Sequence, residues 1–180
     1  MVSRDGGLQN VFVYISKGLD GFAFDPLSSP VVLDQRGCRF VPHVLGIQAG
    51  QPLRIVNSDA TLHNVHAQAT VNKAFNLGMT VKTPEVQRVF DAPEVMIPIH
   101  CNVHPWMGAY IGVVDHSFYS VSDSAGFFSL RNLPAGDFTI EAWHEKFGEL
   151  SQNIAIGVSE NKSIDFTFKT TQVDSNLHSD

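Results

Sequence analysis

A chain of 180 residues has room for one large or two small domains, and 43% hydrophobic against 17% charged residues excludes an intrinsically disordered protein. The net charge of −6 leaves no basic stripe, which argues against nucleic acid as a partner. No apolar run reaches the roughly 18 residues that a membrane-spanning helix needs.

Residues 1–7 lack the apolar stretch of a signal peptide, and a strand follows almost at once, so a shortened N-terminus is expected. Residues 8–15 read as that strand, 17–21 as a turn and 22–30, with Pro26 and Pro30, as a loop. Strands are expected at 31–33, 40–47 and 53–56, the last two separated by Ala49, Gly50 and Gln51. Asn57-Ser58-Asp59 is a turn cluster. A short strand at 65–69 is followed by an irregular stretch at 72–82, then by strands at 86–90, 95–100 and 109–114. A second unit begins near His116, with alternating segments at 119–121, 127–130, 138–144, 154–158 and 163–168. Residues 171–180 form a polar tail, expected to be flexible. Strands at roughly 8–12-residue spacing, broken by turn signals, predict an all-β sandwich.

The most informative segment is Cys101-Asn-Val-His104-Pro-Trp-Met107, together with His63 from a distant segment. It offers one thiolate, two imidazoles and one thioether. Soft sulfur mixed with imidazole selects copper, and a His₂Cys set with a weak axial Met is an electron-transfer arrangement. A lone His on an apolar strand is more often packing than ligation, but a ligand-rich loop paired with a separate His is not a lone His. Pro105 stiffens the loop by fixing its own φ. The two cysteines, Cys38 and Cys101, could pair on arithmetic alone. That pairing is rejected because Cys101 is wanted as a thiolate, and Cys38 reads as a small buried hydrophobe.

This loop resembles the ligand loop of the cupredoxins, and its short spacing is closest to that of amicyanin. Residues 40–50, 55–59 and 63–65 are also similar to that family, and the likeness covers roughly residues 7–114. The resemblance implies a Greek-key β-sandwich binding one copper ion, cycling between Cu(I) and Cu(II), through His63, Cys101, His104 and Met107. It implies that Asn64 holds the Cys101 sulfur through its backbone N–H. It also implies a periplasmic or otherwise extracytoplasmic protein and a redox partner, such as a cytochrome or an oxidoreductase. His100, just before the Cys, departs from the family pattern, where an uncharged residue is expected.

Residues 116–168 resemble a carboxypeptidase-regulatory-like, prealbumin-type β-sandwich. The expected division is therefore 1–115, 116–170 and a tail at 171–180. A unit of some fifty residues buries too little surface to be stable alone. It is therefore expected to pack on the first, with Trp143, Phe138 and Phe128 supplying apolar area.

Trp106 is expected to cover the site as an apolar lid, with the edge of His104 reaching the surface. His43, His66 and His100 are candidates for an auxiliary metal patch; the plainer reading of His66 is a solvent-facing residue. His116 and His144 read as packing or hydrogen-bonding residues. No Gly-x-Ser-x-Gly elbow, His-Glu-x-x-His helix or phosphate-binding Gly loop is present, which argues against the common hydrolases. Met is a poor zinc ligand. Three readings stay open: a non-enzymatic electron carrier, a copper-binding or copper-delivery module without an electron-transfer partner, and a structural protein with a vestigial site.

Overall fold

The computed structural model describes residues 2–169, which form thirteen β-strands and no helix. The protein is all-β, as expected. Three sheets stack as layers. The outer sheet has the order β3-β2-β5-β8, from β3 (Phe40–Val41), β2 (Val31–Gln35), β5 (Pro52–Asn57) and β8 (Val86–Val89). The central sheet runs β4-β10-β9-β6-β7, from β4 (Val44–Gln48), β10 (Gly108–Val114), β9 (Glu94–His100), β6 (His63–Ala67) and β7 (Phe75–Met79). The third is β11-β1-β12-β13, from β11 (Tyr119–Val121), β1 (Phe12–Lys17), β12 (Gly136–His144) and β13 (Gly148–Ile156).

Burial follows from the layering. Leu33, Leu53 and Ile55 of the outer sheet interlock with Ile47, Val65, Ile99 and Ile111 of the central sheet in one core cluster, which also holds Cys101 and Met107. Each such aliphatic side chain contributes about 1.5–3 kcal/mol by leaving water. β4 is buried at every position and β10 at most, because a strand covered on both faces reads as a continuous apolar run. Their other face packs on the third sheet through Phe12, Tyr14, Val44, Met96 and Val114, with Tyr110, Tyr119 and Trp143 against them. Gly46 and Gly112 lie in register on β4 and β10. A Cβ on Gly112 would stand 2.5 Å from the Phe12 ring, and one on Gly46 would run into the Tyr119 ring. The two glycines are what lets those rings approach the sheet. Met96, at φ 63°, lies in a β-bulge opposite Gly112, which turns its side chain toward the same rings.

Several sequence expectations change. The strand expected at 40–47 is two strands: Phe40–Val41 pairs with β2 and Val44–Gln48 with β10, so the chain switches sheets at Pro42 and His43. The stretch expected to be irregular contains β7, whose Phe75, Leu77 and Met79 contribute to the first core. Residues 127–130 and 163–168 join no ladder. Their alternation remains, because Phe128, Leu130, Ile164, Phe166 and Phe168 cover the outer face of the third sheet.

The boundary expected at residue 115/116 does not separate the sheets. β1 pairs with β11 and β12, over 100 residues later in the chain. His116 fastens this junction: its Nε2 donates to the Ile15 carbonyl at 2.8 Å, and its Nδ1 accepts the Phe118 N–H at 3.1 Å. Of the three aromatics expected to supply apolar area, some of it toward the first unit, Trp143 faces that unit, 4.9 Å from Tyr110. Phe138 and Phe128 face away, into the cluster on the far side of the third sheet. The expected tail at 171–180 lies outside the described residues.

Candidate metal centre

His63 opens β6, directly after the turn that residues 57–59 were expected to make. Asn57 accepts the Asp59 N–H at 3.0 Å and donates to the carbonyls of Thr61 and Met79, both at 2.9 Å. This closes the loop and presents the Asp59 carboxylate. Its oxygens accept the N–H groups of Gly37 at 2.7 Å and Cys38 at 2.9 Å. Those two bonds, opposed by partial burial and helped by His63, hold the Asp59 carboxyl below its ordinary pKa. An ionised Asp59 can only accept. It lies 2.9 Å from Nε2 of the fully buried His63, so that nitrogen carries the proton. In the neutral ring the lone pair is then on Nδ1.

That Nδ1 lies 2.9 Å from Nδ1 of His104, and Cys101 Sγ is 3.9 Å from the same His104 atom. The donor atoms of His63, Cys101 and His104 all fall within 4.8 Å of one another. Two nitrogens and a sulfur thus converge on one space at the end of the central sheet. The loop that carries two of them is closed by its own backbone: Met107 N–H donates to the His104 carbonyl at 2.9 Å, and Cys101 N–H to the Met107 carbonyl at 3.2 Å. Met107 is buried in the same core cluster as Cys101.

The backbone N–H of Asn64 lies 3.5 Å from Cys101 Sγ. Its side chain adds a brace, accepting the Asn102 N–H at 2.6 Å and donating to Asn76 at 2.7 Å. Pro105 is exposed in the turn of the loop. Trp106 lies at the surface beside His104. Its indole packs edge-on against His104 at 5.1 Å and donates to the Cys38 carbonyl at 3.2 Å, yet it is 69% exposed.

Cys38 is a free, partly buried thiol packed against the first core, and with Asp59 and His63 it forms a second group of neighbouring donors. Neither Asp59 nor Cys38 was singled out as a site residue from sequence. For Asp59 the available signal was its position four residues before His63, at the mouth of a tight turn.

The auxiliary candidates separate. His43 is engaged elsewhere, its Nδ1 2.9 Å from the Gly108 carbonyl and its Nε2 3.0 Å from Glu145. His66 and His100 are cross-strand partners on β6 and β9.

No protein-family model matches the chain, and no curated protein matches it. Among solved structures it is similar to a copper-containing nitrite reductase (NirK) from Thermus scotoductus SA-01, at 24% identity over 52% of this chain and 24% of that one, with a TM-score of 0.43. It is also similar to amicyanin from Paracoccus versutus, at 20% identity over 56% of this chain and 96% of that one, with a TM-score of 0.41. An oxidized amicyanin variant gives 23% identity over 56% and 97% of the two chains, with a TM-score of 0.42. The matched region spans about a quarter of the reductase and nearly all of amicyanin.

Proposed function

We propose that this chain is a mononuclear copper protein that carries single electrons and is not an enzyme, with His63, Cys101, His104 and Met107 as its copper ligands. One observation carries the reading. His63 Nδ1, with its other nitrogen committed to Asp59, faces His104 Nδ1 at 2.9 Å beside the Cys101 sulfur. The donor set fits the ion: soft sulfur with imidazole suits copper, and a His that gives its second N–H to a carboxylate is oriented for ligation.

When bound, copper supplies a one-electron couple. The chain's own residues do the rest. Asp59 fixes the His63 tautomer. The Asn64 N–H stabilises the Cys101 thiolate by a hydrogen bond to sulfur. Hydrogen bonds within the 101–107 loop hold Cys101, His104 and Met107 as one unit, so little need move when charge changes. Leu62, Val103 and Trp106, close in sequence to the donors, stay 47%, 46% and 69% exposed. They suit an apolar docking edge for a redox protein, and an extracytoplasmic location belongs to the same reading.

Copper delivery is the second reading. Its support is Cys38, a second sulfur within 4.8 Å of the Asp59 and His63 donor atoms, which would favour Cu(I). Visible absorption and voltammetry on copper-loaded protein separate the two. An intense thiolate charge-transfer band with a reversible one-electron wave supports the carrier, and Met107→Leu should keep copper and raise the potential. A colourless protein that holds only Cu(I) supports delivery.

A further inference from the structure

The central sheet carries a second pair of imidazoles on its opposite face. β6 and β9 are antiparallel, with His66 opposite His100 and Ala67 opposite Ile99. Side chains directly opposed across such a pair have Cβ atoms about 4.5–5.5 Å apart and point the same way. Val65, Ala67, Ile99 and Cys101 point into the core, so by alternation His66 and His100 point out of it. The third sheet does not bury them; both stay partly exposed. The flanking partners in the row are Asn76 on β7 and Gly108 on β10. Gly108 leaves space beside His100, since a Cβ there would meet nothing closer than the Ile99 carbonyl at 3.9 Å.

The ring nitrogens of this pair are free for other work. Among the described residues His100 makes no side-chain hydrogen bond, and His66 has only a long 3.4 Å contact to the Asn102 carboxamide. His43 shows the contrast, with both its nitrogens engaged. Two imidazoles directly opposed on neighbouring rigid strands can offer two nitrogen donors to one ion, a set that suits Zn(II), Cu(II) or Ni(II).

We infer that His66 and His100 bind one divalent transition-metal ion, separate from the donor set of His63, Cys101 and His104. Water fills the remaining positions, with Asn102 near enough to brace the His66 ring. His100 and Asn102 flank Cys101 in sequence, so the bound charge lies one peptide from the thiolate-bearing residue. The inference does not depend on copper occupying the other centre.

Zinc titration of the full-length protein by calorimetry tests it, with imidazole NMR resonances followed in parallel. His66→Gln and His100→Gln, both on the surface face, should each remove one zinc equivalent. Cys101→Ser should retain that equivalent whatever happens to the other centre. In the wild type, the His66 and His100 resonances should shift together, which gives a readout even if Cys101→Ser fails to fold. Unchanged zinc stoichiometry in both His variants, or zinc-independent resonances for the pair, would overturn the inference.

Discussion

On one face of the central sheet, aliphatic side chains interlock with the outer sheet and enclose the Cys101 and Met107 side chains. On the other, Gly46 and Gly112 stand side by side, and rings from the N- and C-terminal strands lie over them. The first face is packed by complementary bulk and the second by its absence. Every residue of the donor group and its braces belongs to the outer and central sheets or their loops, whereas the second face joins those sheets to β1 and β11–β13. In chain order, residues 30–115 thus stand as an insertion between β1 and β11, whose sheet is built from both sides of them.

The strongest way to break that comparison is truncation. A chain of residues 1–115 leaves β1 without both of its ladder partners and exposes Phe12, Tyr14, Val44 and Met96. It should aggregate or melt far below the intact protein. Residues 30–115 alone also bare Val44, Met96 and Val114 but leave no strand without its ladder partners, so they should melt no lower than 1–115. Size-exclusion chromatography and circular dichroism check this; if 1–115 melts like the full chain, the insertion is wrong.

Substitution comes next in size. Gly112→Ala forces a methyl group against the fully buried Phe12 ring, and such overpacking costs about 1–3 kcal/mol. At about 2–4 °C per kcal/mol for a chain of this length, the melting temperature should fall measurably. Copper binding at low temperature should be unchanged, because the damage is on the other face.

Asp59→Asn perturbs the first face with less effect on stability. A carboxamide cannot accept from Gly37, Cys38 and His63 together without turning its NH₂ toward a donor. Copper affinity, measured by competition with a chelator, should drop by about 10–100-fold. An unchanged affinity would mean that Asp59 does not orient His63.

The smallest effect is on pH dependence. Burial lowers the pKa of His116, against the opposing pull of the Ile15 carbonyl and Asp115. The unfolded chain therefore takes up a proton near the ordinary value of 6.5 while the native ring stays neutral. Stability is retained above that pH and is lost as pH falls through it toward the folded value. His144, also lowered by burial, acts in the same direction. Melting temperatures between about pH 7 and 5 should fall less steeply in His116→Gln than in the wild type.

The proposed donors could be read from the residues because their chemistry is local: three ligand types at short spacing and a separate His after a turn. Asp59 was not, because its role depends on Gly37 and Cys38 arriving from a segment more than twenty residues away. β7 was hidden by Asn76 and Gly78, although Phe75, Leu77 and Met79 alternate. Residues 127–130 and 163–168 erred in the opposite direction, since alternation reports one buried side and not a hydrogen-bonded neighbour. The sheet to which β1 belongs was beyond local reading: its pattern suits either sheet, and its partners lie over 100 residues away.

Copper K-edge X-ray absorption on the copper-loaded full-length protein tests the central claim most directly, comparing the wild type with Cys101→Ser and Cys38→Ser. The account predicts one thiolate sulfur and two imidazoles at copper, with the sulfur lost in Cys101→Ser and kept in Cys38→Ser. A sulfur that survives Cys101→Ser and disappears in Cys38→Ser, or copper bound by nitrogen and oxygen alone, would contradict it.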